Sequence, residues 1–112
     1  MSKDCVFCKK IADEDLESAG DCVVFKPLNP VVEGHLLVVP RRHVDNFGFD
    51  PNVTADTMRT AVWISRRFRE FNIITSKGKN ASQSINHLHV HIIPRKKGDG
   101  LKLPWSKNLS NE

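Results

Sequence analysis

Ile85-Asn86-His87-Leu88-His89-Val90-His91-Ile92-Ile93-Pro94 is the stretch whose period sets the fold. Leu88, Val90 and Ile92 occupy every second position, and three histidines occupy the positions between them. A two-residue period predicts a β-strand from Ile85 to Ile93, stopped by Pro94. Alternate side chains of a strand share a face, so His87, His89 and His91 point one way and the aliphatic residues point into a core. Neighbouring histidines on such a face are about 6.6 Å apart at Cα, and the outer pair about 13 Å. A zinc–nitrogen bond is only about 2.0–2.1 Å. Two adjacent imidazoles could share an ion, but the outer two would strain to do so, which implies a division of labour along the strand. Three readings follow: a polar strand face, a metal site, or nucleophilic catalysis. For the last, imidazole titrates near pH 6.5, so a neutral ring can attack phosphorus without first losing a proton. Gln83 and Ser84, just upstream, offer donors for phosphate oxygens.

Outward from this strand, the pattern alternates between short β-prone runs and one helix. Cys22-Val23-Val24-Phe25 reads as a strand stopped by Pro27 and Pro30, and Gly34 opens a second, His35-Leu36-Leu37-Val38-Val39, that stops at Pro40. Asp45 to Asn52 reads as a loop. Thr54 to Phe71 reads as the main helix, with Thr54 as its cap. Its apolar stripe is Met58, Ala61, Val62, Ser65 and Phe68, widened by Trp63 and Ile64. Phe71 to Thr75 reads as a further strand, and residues 76–82 as a polar loop. Residues 1–20 form an N-terminal segment with a short helical stretch ending at Gly20. Residues 95–112 form a basic tail anchored by Leu101, Leu103 and Trp105. Strands, a helix, then strands again predict one α+β domain over residues 1–112 with a mostly antiparallel sheet.

Composition bounds the function. The chain has 112 residues, 39% hydrophobic and 27% charged, which suits one soluble domain. No apolar run approaches the ~18 residues of a membrane span. No secretory signal is apparent at Met1 to Cys8, so a cytoplasmic protein is expected. Cys5, Cys8 and Cys22 are an odd set, and Cys5-Val6-Phe7-Cys8 reads as half a metal site or as a redox pair rather than a disulfide framework. The net charge of +4 owes much to Lys77, Lys79, Arg95, Lys96 and Lys97 around the histidine strand. That surplus suits a phosphate-bearing ligand and equally a solvated edge. The basic tail lacks interleaved aromatics apart from Trp105, which argues against a nucleic-acid partner.

Gln83-Ser84-Ile85-Asn86-His87-Leu88-His89-Val90-His91-Ile92-Ile93-Pro94 resembles the signature of the histidine triad (HIT) family of nucleotide hydrolases and transferases. Leu28-Asn29-Pro30, the block Gly34 to Pro40, and Arg41-Arg42-His43 resemble the family's central region. The Cys5–Cys8 pair resembles the start of bacterial-type members. The resemblance implies a five-stranded antiparallel sheet with helices on one side, and a homodimer. It implies nucleoside monophosphate derivatives as substrates, either phosphoramidates or dinucleoside polyphosphates. His89 would be the nucleophile forming a nucleotidyl-histidine, with His91 on the α-phosphate and His35 in support. Leu28, Ser76, Ser82, Gln83 and Ser84 would contact the substrate together with His89 and His91. A structural zinc would be held by Cys5, Cys8, His43 and His87, and no organic cofactor is implied. A nucleotidyltransferase or phosphorylase with the same intermediate, and a non-catalytic nucleotide-binding module, are the alternatives. Three positions depart from the family pattern. Pro27, preceded by Lys26, stands where an acidic residue commonly holds the ribose hydroxyls. Ser76 replaces a frequent asparagine, and Ser82 a common glycine.

Overall fold

The computed structural model describes residues 5–105, so residues 1–4 of the N-terminal segment and 106–112 of the basic tail lie outside the described part. The elements are α1 (Val6–Ile11), β1 (Glu17–Ala19), β2 (Cys22–Phe25), β3 (Leu36–Pro40), α2 (Pro51–Ser65), β4 (Phe71–Ile74) and β5 (Val90–Pro94), with one 3₁₀ turn at Lys79–Ala81. Every strand pair is antiparallel, in the order β1-β2-β3-β5-β4. The fold is therefore α+β with a five-stranded sheet, one main helix and a short N-terminal helix, as expected from the sequence.

The helices do not share one side of the sheet. Strand alternation sends Val24, Val38, Val90 and Ile92 to one face, where Ala61 and Ile64 of α2 cover them. Val23, Phe25, Leu37 and Val39 face the other way and are covered by Phe7 and Ile11 of α1. The expectation of one helical layer fails because α1 has its own apolar stripe, Phe7, Cys8 and Ile11, and buries it on the opposite face. The same six-residue helix brings Cys5, its N-cap, and Cys8, in its first turn, onto the histidine face.

Four element boundaries differ from the sequence reading. The residues before Gly20 are not all helical. Glu17–Ala19 pairs with β2 through a tight turn at Gly20 and Asp21, where Gly20 takes φ +58°. Helix α2 starts at Pro51, with the Asp50 carboxylate accepting from the Asn52 and Val53 N–H groups at 2.9 and 3.4 Å. Aspartate followed by proline is a stronger start signal than Thr54. Thr54 is instead buried, its hydroxyl donating to the Phe47 carbonyl at 2.6 Å. The helix ends at Ser65, and its buried face is Val53, Thr57, Thr60, Ala61 and Ile64, while Val62 and Trp63 are exposed. The last strand begins at Val90 rather than Ile85: its pairing with β3 stops at Val38, although β3 itself runs on to Pro40. Residues 85–89 bend away, and the Leu88 N–H donates to the Val44 carbonyl at 2.8 Å.

Candidate active site

The site follows from sheet register. Leu37 of β3 lies opposite both Phe25 of β2 and His91 of β5, so these three side chains form a row across one face. His35 immediately precedes β3, and Gly34 lets it reach that row. Gly34 takes φ +89°, and a Cβ there would lie 3.2 Å from the Pro94 ring and 3.4 Å from Phe68.

The hydrogen-bond partners define the role of each imidazole. The Val31 N–H can only donate, and it meets Nδ1 of His35 at 3.1 Å, so that nitrogen is the acceptor. The proton of neutral His35 is then on Nε2, which donates to Nδ1 of His91 at 2.9 Å. His91 consequently carries its own proton on Nε2. Burial lowers the pKa of His91 to about 4, with the nearby rings of His89 and His35 adding to the effect. Burial also lowers that of His35. Both rings are therefore neutral at pH 7, and the chain Val31, His35, His91 ends in an N–H donor. His89 is arranged the other way. Its Nδ1–H donates to the His87 carbonyl at 2.8 Å, which leaves the Nε2 lone pair unprotonated. The rings of His89 and His91 are 5.2 Å apart, so a bare nitrogen and an N–H donor stand side by side.

His89 and His91 line a cavity of about 360 Å³ with Ser84 and Ile85. Leu37 and Phe25 continue its floor, Val6, Phe7 and Lys10 of α1 form one wall, and Lys26, Pro27 and Leu28 close the far end. Leu28, 95% exposed, offers its side chain to a ligand rather than to the core. Ser82, Gln83 and Ser84 border a neighbouring polar cavity with Lys79 and Asn86, so Ser84 stands between the two. The Gln83 amide is engaged with its own loop and with the segment at Asp45. Its oxygen accepts from the Gly78 N–H at 2.8 Å, and its nitrogen donates to the carbonyls of Asp45 at 2.6 Å and Ile85 at 3.1 Å. Ser76 is half-buried just after β4 and lines neither cavity.

His87 lies two residues from His89 and does something else. It is fully buried, and its Nε2–H donates to the Pro40 carbonyl at 2.8 Å. Its Nδ1 lone pair then faces Sγ of Cys5 at 3.4 Å, Sγ of Cys8 at 3.6 Å and Nδ1 of His43 at 3.1 Å. His43 Nδ1 is also 3.2 Å from Sγ of Cys8, and its Nε2–H donates to the Asp45 carboxylate at 3.2 Å. Both imidazoles thus aim lone pairs at one point between two thiols, and all four donor atoms lie within 4.8 Å of one another. Neutral thiols can satisfy these lone pairs only as weak S–H donors, whereas two thiolates and two imidazole nitrogens converging on one point suit a cation. Cys5, Cys8, His43 and His87 could therefore hold a metal ion. All three cysteines are buried thiols. Cys22 lies on the α2 side, where burial raises its pKa.

Sequence reasoning missed Phe7, whose ring stands edge-on to His89 at 5.1 Å and to His87 at 6.1 Å and separates the two sites. Its place between the two cysteines was the available signal. It also missed the three backbone and side-chain partners, Val31, Pro40 and Asp45, that assign the ring nitrogens; only Asp45, two residues after His43, carried a cue. Among the described residues no helix is long and apolar enough to cross a membrane.

Comparison with known proteins agrees with this geometry. The HIT domain family model matches residues 9–98. Adenylylsulfatase HINT3 of Arabidopsis thaliana is 34% identical over 90% of this chain and 57% of the relative. Adenosine 5'-monophosphoramidase HNT1 of Saccharomyces cerevisiae is 29% identical over 90% of this chain and 69% of the relative. A crystal structure of a HIT family member from Bacillus subtilis superposes with a TM-score of 0.78, at 29% identity, over 98% of this chain and 86% of that one.

Proposed function

Because this chain belongs to the HIT domain family, we propose that it hydrolyses nucleoside monophosphate derivatives, phosphoramidates or dinucleoside polyphosphates, through a nucleotidyl intermediate on His89. The observation that carries this reading is the opposite protonation of two adjacent rings, a bare Nε2 on His89 beside an Nε2–H on His91. In the first step the His89 Nε2 lone pair attacks the α-phosphorus. The bond from phosphorus to the leaving group breaks, and the leaving group departs with its electron pair and takes a proton from solvent. His91 donates to a non-bridging oxygen where negative charge grows. His89 becomes cationic, and its retained Nδ1–H points at the His87 carbonyl, a fixed dipole suited to that charge. In the second step water attacks phosphorus and gives up a proton to solvent, the P–N electron pair returns to Nε2, and the nucleoside monophosphate leaves. Ser84 lines both cavities, which supports giving it a phosphate or leaving-group oxygen to hold. The names of the plant and yeast relatives, an adenylylsulfatase and a phosphoramidase, both describe removal of a group from a nucleoside monophosphate.

The cluster of Cys5, Cys8, His43 and His87 is assigned to zinc. For bonds of about 2.3 Å to sulfur and 2.0–2.1 Å to nitrogen, tetrahedral edges run from about 3.3 to 3.8 Å. Four of the six ligand separations run from 3.1 to 3.6 Å, close to that frame, and all six lie within 4.8 Å. With four protein ligands no position would be open to substrate, so a bound ion would serve structure. Held by these four residues, it would tie α1 to the end of β3 and to residue 87, beside the cavity wall. A homodimer belongs to the same reading: β4 is an edge strand, and its Phe71 and Ile74 are exposed, as are Val62 and Trp63 of α2.

Turnover of adenosine phosphoramidate, guanosine phosphoramidate and diadenosine tetraphosphate at neutral pH tests the function. The parent is expected to release nucleoside monophosphate from at least one, and His89→Asn to release none measurably. Equal turnover by both proteins would remove His89 from the reaction. If added phosphate diverts the product to nucleoside diphosphate, the enzyme is a phosphorylase instead.

A further inference from the structure

Among the described residues, the far end of the cavity lacks the carboxylate that best accepts from a ribose diol. Phe25 lies two strand spacings from His91, about 10 Å across the sheet. A nucleotide whose phosphorus sits at His89 therefore places its sugar over Leu37 and Phe25 and toward residues 26–28. A ribose diol presents two O–H donors, which a carboxylate accepts best. None of the described residues lining the cavity is acidic. The charged groups there are Lys10, whose ammonium stands 5.6 Å from the Phe25 ring centroid, and Lys26. An ammonium has three donors and no acceptor, so it cannot receive a hydroxyl's hydrogen bond. Pro27, between Lys26 and Leu28, has no side-chain acceptor. Among the described residues neither lysine is ion-paired with a carboxylate. Two uncompensated cations on an apolar floor are complementary to an anion.

We propose that Lys10 and Lys26 form a subsite for a second phosphate carried on the ribose, so that the preferred substrate is a nucleoside 5'-phosphate derivative also phosphorylated at its 2' or 3' hydroxyl. This rests on the nucleotide reading of the site given above. Charge-assisted hydrogen bonds from the two ammonium groups replace the diol contacts, and the register of α1 and β2 positions them.

Calorimetric titration of the full chain with AMP, ADP, adenosine 2',5'-bisphosphate and adenosine 3',5'-bisphosphate tests the subsite. One bisphosphate is expected to bind at least about tenfold more tightly than AMP. The combined variant Lys10→Ala, Lys26→Ala is expected to bring that ratio to about one, and Lys26→Glu to invert it. The 2' and 3' isomers identify which hydroxyl carries the phosphate. ADP adds the same charge on the 5' chain, and its preference over AMP should not respond to these substitutions. If AMP binds and neither bisphosphate binds more tightly, or if the preference survives in the combined variant, the subsite does not exist and the nucleotide reading stands. If none of the four binds, the nucleotide reading falls and the subsite with it.

Discussion

His87 and His89 are two residues apart, on the same face and of the same type, yet the fold gives them opposite work. His87 gives its Nε2–H to the Pro40 carbonyl and keeps Nδ1 for the cysteine cluster. His89 gives its Nδ1–H to the His87 carbonyl and keeps Nε2 for the cavity. The difference lies in which backbone carbonyl each ring meets, and the bend at residues 85–89 decides that. A continuous strand would have left both rings equivalent. Phe7 stands between them and keeps a ligand in the cavity apart from the cluster.

The largest effects should follow from exchanging these two roles for nothing. His89→Asn preserves a donor to the His87 carbonyl but has no nucleophile, and kcat should fall about a thousandfold or more with the melting temperature little changed. Single-turnover assay and calorimetry on the same sample check both halves. Cys8→Ser should do the reverse. Loss of the ion is expected to lower stability by about 3 kcal/mol or more, a fall of roughly 10 °C or more in Tm for a chain of this size. Elemental analysis should show stoichiometric zinc in the parent and little in the variant. A parent without metal, whose Tm also ignores the substitution, would end the structural-ion half of the comparison.

An intermediate effect is expected at His35, which acts through His91 and touches no substrate. His35→Leu removes the Nε2–H that keeps Nδ1 of His91 in its acceptor role, so His91 can turn its lone pair toward the phosphate. A fall in kcat of about ten- to a hundredfold with KM changed less follows. His35→Gln supplies an amide N–H and should restore part of it. A loss in KM alone would mean that His35 merely shapes the cavity.

The fold was readable where a short-range pattern carries the information. The alternation around His89 and the apolar runs of β2 and β3 locate the middle of the sheet, and residues 87, 89 and 91 the site. The rest needs contacts between distant residues. β1 has one apolar residue in three, so only its pairing with β2 reveals it. The bend before Val90 is held by the Leu88 N–H bond to the Val44 carbonyl, which joins residues 44 positions apart. The His35–His91 hydrogen bond joins residues 56 apart, and no spacing within either segment shows it. The nitrogen assignments depend on the carbonyls of Pro40 and His87 and on the Val31 N–H, groups that every residue type carries and that only folding aims.

Acid should separate the buried rings from bulk solvent. His91 is held near a pKa of about 4 in the fold against about 6.5 when unfolded. The unfolded chain thus binds the proton more readily between those values. Stability is expected to be level above pH 6.5 and to fall as pH drops from 6.5 toward 4, by roughly 1–2 kcal/mol from this partly exposed ring once solvent screening is allowed for. Urea unfolding at several pH values measures the slope, and His91→Asn should flatten it. An unchanged slope would place the acid sensitivity elsewhere, for example in the lowered pKa of His35.

The smallest effect concerns the loop that brings Ser84 between the two cavities. Ser82 has φ +71° and ψ +24°, and it is the one non-glycine residue with positive φ among those described. A side chain in that region costs about 1 kcal/mol. The loop enforces it through short internal bonds, with the Ser82 N–H donating to the Lys79 carbonyl and the Gln83 N–H to the Gly78 carbonyl, each at 3.0 Å. Ser82→Gly removes the strain but loosens the unfolded chain, so the net gain should be about 0.5 kcal/mol, roughly 2–4 °C in Tm. The histidine end of the comparison should not notice, because neither ring is bonded to this loop. A lower Tm would show that the serine hydroxyl holds the loop, and that its left-handed backbone is a consequence of that bond rather than a strain beside it.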